Sequence, residues 1–285
     1  GQSTNDVRKV DAGHGQLAGY CSPKGRLLAS FQLIQRDGDY FMLMERDIME
    51  ATLKRLRMFV LMSKVTLDDV SDEFCVAAVA GPTIEAKLDQ APAGDYEVTQ
   101  VQGLSQMRLP GTPPRFLLLA DADTLVTLWN QLDDVTPVGQ GNWKLTDIRA
   151  AVPFIQAETV EAFVPQMVNM QAPAIEGVSF KKGCYPGQEV VARMQYLGKL
   201  KRRMYRGRVE TDTAPKPGDS IFSEASSSGQ GAGKVVDAQP SPLGGFELLA
   251  VIEIASAESG GLLVGSESGA SLELSELPYE LEKAS

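Results

Sequence analysis

Nine consecutive residues carry most of the chemistry in this chain: Lys181-Lys182-Gly183-Cys184-Tyr185-Pro186-Gly187-Gln188-Glu189. Gly183 and Gly187 bracket a thiol, a ring and a proline. Glycine reaches left-handed backbone at no steric cost and lets a ligand approach the main chain closely. A thiol on such a bend is presented rather than packed, and Lys181 and Lys182 favour the thiolate, its reactive form. Tyr185 can stack on a flat ring. Gln188 and Glu189 can bond the edge of a heterocycle, and a carboxylate suits an amino-pyrimidinone with adjacent N–H donors. The competing account, favoured on composition alone, is a tight turn around a buried, inert cysteine, because free cysteine is among the most buried residue types.

The rest of the composition narrows the chemistry. Cys21, Cys75 and Cys184 are three, far apart, with no CxxC spacing. That pattern argues against a disulfide framework and against structural zinc, and it suits a reducing cytoplasm. His14 is the only histidine, so neither a histidine metal centre nor a Ser-His-Asp triad is expected. The net charge of −10 disfavours broad binding to nucleic acid, which depends on phosphate neutralisation. The charge is unevenly placed, however. Lys199, Lys201, Arg202, Arg203, Arg206 and Arg208 crowd into ten residues, with Lys181, Lys182 and Arg193 upstream. Such a run is either an anion site or a solvated strand face.

These residues need a scaffold of 285 residues, enough for two or three domains. No run reaches the roughly 18–20 apolar residues of a membrane span, so no membrane association is expected. The chain shows no leader peptide at its start and opens on Gly1 without Met, so further sequence is expected upstream. Two apolar runs at 27–34 and 40–44, separated by a segment containing Asp37-Gly38, predict a hairpin. Ile48, Thr52, Leu56 and Phe59 give a helical stripe over 46–63. Strands are expected at 65–68 and 74–80, the second ending at Gly81-Pro82. A helical segment follows at 83–90, then strands at 96–101 and 116–120 around a loop at 109–114, then a helix capped by Asp121 or Asp123 and running to 132. Residues 142–170 read as short helices broken by Pro153 and Pro165, and 171–198 as mostly irregular. From about 203, short runs at 203–209, 219–223, 232–237, 246–254 and 261–264 alternate with turn clusters such as Ala214–Asp219 and Ser226–Gly229. They predict a small β-barrel or sandwich. The expected organisation is an α+β region over 1–200, with a break near 81 if it is two units, and a β domain over 201–285.

The string Lys-Gly-Cys-Tyr-x-Gly-Gln-Glu, matched here by Lys182–Glu189, is the signature of the YgfZ family, relatives of the glycine-cleavage T-protein. Other segments resemble the family too: Gln2–Val7, the hairpin approach Pro23-Lys24-Gly25-Arg26, and Phe163-Val164-Pro165-Gln166-Met167-Val168-Asn169. The resemblance covers about 1–208 well and the remainder loosely. It implies a ring-like, multi-domain α+β fold of ferredoxin-like units with a C-terminal β-barrel, and a bound tetrahydrofolate or one-carbon derivative. It also implies a supporting role for iron–sulfur enzymes or their assembly proteins, through which tRNA becomes modified. Three scattered cysteines fall short of the four ligands of an ordinary cluster.

Carried over residue by residue, the resemblance makes Cys184 the candidate redox or nucleophilic thiol. It makes Trp143, Arg149, Lys182, Gly183, Tyr185, Gly187, Gln188 and Glu189 candidate folate contacts. Trp143 matches a folate-contacting tryptophan ahead of the Asp147-Ile148-Arg149-Ala150-Ala151 stretch; a second such tryptophan lies upstream of Gly1 in the family. Two departures stand out. Ala29 and Ser30 occupy the positions of the paired T-protein aspartates, and neither can supply the acid/base of aminomethyl transfer. Arg149 aligns with the carboxylate that grips the pterin, and a cation cannot accept N–H bonds. Either Glu189 or another acid replaces that carboxylate, or Arg149 meets the folate glutamate tail. The expected function is therefore a folate-binding accessory factor without the T-protein reaction. A one-carbon transferase on another substrate is the first alternative. An RNA-binding module contacting tRNA through Lys199, Lys201, Arg202 and Arg203 is the second.

Overall fold

The computed structural model describes residues 1–62, 64–226 and 231–281. The chain forms two compact units. One comprises Asp6–Leu17 and Phe31–Val138; the other comprises Gly1–Asn5, Ala18–Ser30 and Gly139–Ser285. Strands β1 (Gln16–Cys21) and β2 (Leu27–Arg36) contribute residues to both.

In the first unit, Phe31–Arg36 of β2 pairs antiparallel with β3 (Asp39–Met44). Asp37 and Gly38 both take positive φ, 52° and 89°, the geometry that the Asp-Gly signal anticipates. Helix α1 (Arg46–Arg57) buries Ile48 and Thr52. It stops short of the predicted 63, a residue outside those described. Arg57 Nε donates to the Leu67 carbonyl at 2.8 Å and Arg57 Nη2 meets Asp68 at 3.0 Å. These bonds hold the returning chain, so 65–68 forms no strand. A four-stranded antiparallel sheet follows, built of β4 (Cys75–Ala80), β5 (Val98–Val101), β6 (Leu104–Leu109) and β7 (Arg115–Ala120) in the order β4-β7-β6-β5. β6 is absent from the sequence expectation because its buried Ser105 and Gln106 break the apolar alternation. Helix α2 (Ala122–Gln131) starts where the Asp121 carboxylate accepts from Thr124 N–H at 2.8 Å. It lays Leu125 and Leu128 on a core of Ile84, Leu88, Leu104, Phe116 and Leu118. The helical expectation at 83–90 is met by one 3₁₀ turn, Ile84–Lys87.

The second unit holds helix α3 (Gln140–Arg149), 3₁₀ turns at Ala157–Thr159 and Pro165–Val168, and helix α4 (Gln188–Tyr196). α4 corrects the expectation of irregular chain over 171–198. Only Val191 of α4 is buried, so no apolar stripe announces it. A closed barrel completes the unit, in the order β10-β11-β8-β13-β12-β9. Its strands are β8 (Arg202–Val209), β9 (Ser220–Phe222), β10 (Gly233–Pro240), β11 (Phe246–Glu253), β12 (Leu263–Val264) and β13 (Ala270–Ser275), with α5 (Ile254–Ser259) after β11. Alternate inward residues, including Val209, Ile221, Val235, Leu248, Ala250 and Ile252, fill it, each large aliphatic contributing about 1.5–3 kcal/mol of transfer free energy. Closure leaves the barrel no free edge. Residues 227–229 of the predicted Ser226–Gly229 turn lie outside the described residues. The fold is α+β with a C-terminal barrel.

Candidate functional site

The chain from Gly1 to Asn5 straps down the segment that leads into the nine-residue run. Thr4 Oγ1 donates to the Gly177 carbonyl at 2.7 Å and accepts from Gly19 N–H at 2.7 Å. Thr4 O accepts from Ser179 N–H at 3.0 Å, and Asn5 Nδ2 donates to Glu176 O at 2.5 Å. Lys182 Nζ then donates to Ser3 O at 2.6 Å and lies 4.9 Å from the centroid of the Tyr185 ring. An ammonium so placed gains both a carbonyl acceptor and a cation–π contact. Tyr185 itself is buried, and burial pushes its hydroxyl pKa up, with the nearby Cys21 thiol adding to the shift. Tyr185 is thus a packed anchor with Lys182 over one ring face.

Gly187 shows why this position has no side chain. Its φ is +76°, and a Cβ would lie 2.5 Å from Gly25 Cα, Gly25 N and Ser22 O. Gly25, at φ +72°, stands in the tight turn closed by Ser22 and Arg26. The two glycines let a loop and a turn meet backbone to backbone. Gly187 is also the N-cap of α4, which places Glu189 in the first helical turn, where a carboxylate complements the helix dipole. Gly183 differs: nothing lies within 4 Å of the Cβ it lacks.

Between these anchors Cys184 is exposed. Cys21, by contrast, is buried, and burial pushes its thiol pKa up to about 12, which keeps it protonated and inert. Glu189 is exposed and Gln188 half-buried. The segment 163–169 ties to the elements that follow the loop. Gln166 Nε2 donates to Val191 O in α4 at 2.6 Å, and Asn169 Nδ2 donates to Met204 O in β8 at 3.0 Å. Asn169 takes positive φ, 58°, at the end of its 3₁₀ turn, a conformation asparagine tolerates. None of Ser3, Thr4, Gly25, Gln166 or Asn169 was a predicted site residue. The only sequence trace of them is that each lies in or beside a quoted segment.

The remaining candidates lie elsewhere. Trp143 is half-buried on α3. Arg149, at the end of α3, forks onto Glu247 of β11, with Nε at 3.0 Å from Oε2 and Nη2 at 2.6 Å from Oε1. That pairing raises the Arg149 pKa and holds the Glu247 carboxyl below the usual range. The hydrogen bonds of Arg149 therefore run to the barrel, not to the loop. Ala29 and Ser30 are fully buried, and the Ser30 hydroxyl accepts from Ile155 N–H at 2.8 Å. In the basic run, Lys199 and Lys201 are exposed. Arg202 pairs with Glu253 at 2.8 Å, Arg206 donates to Arg149 O at 3.0 Å, Arg208 pairs with Glu210, and Arg203 has a buried Nε without a partner among the described residues. Much of that run is engaged internally.

No protein-family model matches the chain. Individual relatives do. The tRNA-modifying protein YgfZ of Cronobacter sakazakii is 33% identical over the whole chain and is itself covered over 87% of its length. The chain belongs to the YgfZ family. The YgfZ of Colwellia psychrerythraea is 36% identical over 208 residues, which span 72% of this chain and 63% of that protein. The YgfZ of Pectobacterium carotovorum is 28% identical over 99% of this chain and 85% of its own. Among solved structures, the glycine cleavage system aminomethyltransferase T from Bartonella henselae superposes with a TM-score of 0.70 over 97% of this chain and 79% of its own, at 16% identity. That likeness establishes a shared fold. Among the described residues, no helix is long and apolar enough to cross a membrane.

Proposed function

We propose that this YgfZ-family chain binds tetrahydrofolate or a one-carbon derivative and supports iron–sulfur enzymes in the cytoplasm, and through them tRNA modification. Cys184 is the thiol on which that support depends. The observation carrying this reading is the exposed Cys184 on a loop whose neighbours Lys182, Tyr185 and Gly187 are all locked. Cys75 is exposed as well, so what singles out Cys184 is the locked loop that presents it.

The residues present fit a folate in part. Glu189 and Gln188 offer an acceptor and an amide without hydrogen-bond partners among the described residues, and Trp143 offers a half-buried ring. Gly183 leaves the backbone approachable. In this reading Glu189 takes the N–H edge of the pterin at the loop, which Lys182, Tyr185 and Gly187 hold, and Trp143 meets another part of the ligand from α3. Arg149, committed to Glu247, tethers α3 to the barrel. A bound folate would supply a one-carbon unit or a reducible pterin. Ala29 and Ser30 provide no acid or base for aminomethyl transfer, which favours an accessory role over a transferase. The test is a tetrahydrofolate titration followed by fluorescence in a Trp129→Phe background, where Trp143 is the remaining tryptophan. Saturable change at sub-millimolar ligand, weakened in Glu189→Gln, is expected. A flat titration would overturn the folate reading.

A further inference from the structure

A cavity of about 200 Å³ within the larger unit is lined by Arg26, Arg202, Lys234, Phe163, Met167 and Val251, with no acidic residue in its wall. This is unusual in a chain whose net charge is −10. The three cations arrive from separate elements: Arg26 from the turn before β2, Arg202 from the start of β8, and Lys234 from β10, opposite Val251 in the ladder. Their states differ. Arg202 is tied to Glu253 at 2.8 Å and to Gly231 O at 3.0 Å, so its charge is largely compensated. Arg26 is oriented without being neutralised. Its Nη1 donates to Glu161 O at 3.1 Å and Ala162 O at 2.7 Å, and its other nitrogens make no hydrogen bond among the described residues. Lys234 is exposed and has no ion-pair partner among the described residues. Two uncompensated positive charges thus converge on one concavity.

We propose that this cavity binds the terminal phosphate of a phosphomonoester. A dianion matches two uncompensated cations. Its tetrahedral oxygens can meet a guanidinium fork and an ammonium that approach from different sides, whereas a planar carboxylate is satisfied by a single fork. Holding Arg26 by one nitrogen pre-orients the others and lowers the cost of ordering them on binding. The site is separate from the folate reading and stands or falls without it.

The first probe is inorganic phosphate, titrated into the full chain by calorimetry at low ionic strength. A 5′-phosphorylated oligoribonucleotide and its 5′-hydroxyl counterpart follow, to separate an RNA end from a small phosphorylated compound. Saturable phosphate binding is expected, weakened about tenfold or more by Lys234→Glu, as loss of a charge-assisted contact requires. Lys234→Gln should weaken it less, and tetrahydrofolate affinity should be unchanged in both variants. Lys234 is an exposed strand residue, so neither variant threatens folding. Tighter binding of the 5′-phosphorylated strand than of phosphate alone assigns the site to an RNA end; equal binding assigns it to a small compound. Absence of phosphate binding at millimolar concentration, or binding indifferent to Lys234→Glu, would overturn the proposal. So would loss of tetrahydrofolate binding in Lys234→Glu without any phosphate binding, which would place a carboxylate tail there instead.

Discussion

On the barrel, Arg149 meets Glu247, Arg202 meets Glu253 and Arg208 meets Glu210; in the loop at 181–189, Lys181, Cys184 and Glu189 meet no hydrogen-bond partner among the described residues. These three arginines are committed to the barrel's own architecture, whereas Lys234 of β10 is left unpaired among the described residues. The loop spends only its inert parts, Gly187 and Tyr185, and Lys182 with them. A segment that is rigid at both ends and chemically unsatisfied in the middle is what a ligand or partner site requires. The same run of sequence thus holds structural and functional residues side by side, and substitutions can separate them.

The largest expected effect is at Gly187. Alanine there must occupy left-handed backbone and enter space held by Gly25 and Ser22 O, so Gly187→Ala should cost about 2–4 kcal/mol by urea denaturation. An intermediate effect is expected at the barrel tether. Arg149→Met removes a pair that is 42% and 17% exposed at its two side chains, so solvent screening limits the cost to about 0.5–1 kcal/mol at pH 7. The pH dependence has a definite sign. Arg149 holds the folded Glu247 carboxyl below its ordinary value. The stability from the pair is therefore present above the unfolded carboxylate pKa, about 4.3, and is lost as pH falls through the lowered folded value. The wild type and Arg149→Met should converge in stability once the pH falls below the lowered folded value of Glu247. A pH-independent difference would show that Arg149 acts through packing alone. The smallest effect is expected at Gly183, where an added Cβ meets nothing; Gly183→Ala should leave stability within about 0.5 kcal/mol. Equal costs at the two glycines would erase the distinction between the anchored and open parts of the loop.

The hairpin at Asp37-Gly38, the Asp121 cap and the strand-rich C-terminal part were legible because each rests on local chemistry: a turn dipeptide, a capping carboxylate, alternation between turns. Helix α4 was not, because it begins on a left-handed glycine and buries only Val191. Strand β13, Ala270-Ser271-Leu272-Glu273-Leu274-Ser275, carries the same alternation and was legible, though it is absent from the sequence expectation. The run around Cys184 could be picked out from residue types, and its membership of a family followed from the string. Its mechanical support could not be seen. The bond from Lys182 to Ser3 spans 179 residues, and the contact of Gly187 with Gly25 is made by backbone alone. Tyr185 illustrates the limit: a ring suited to stacking on a ligand proves to be buried beneath Lys182.

The central claim is that Cys184 is kept exposed for use. It is tested most directly by expressing Cys184→Ala at wild-type abundance in cells lacking the native protein and measuring iron–sulfur enzyme activity. The variant should fold with unchanged stability and fail to restore that activity. Full restoration by Cys184→Ala would contradict the account.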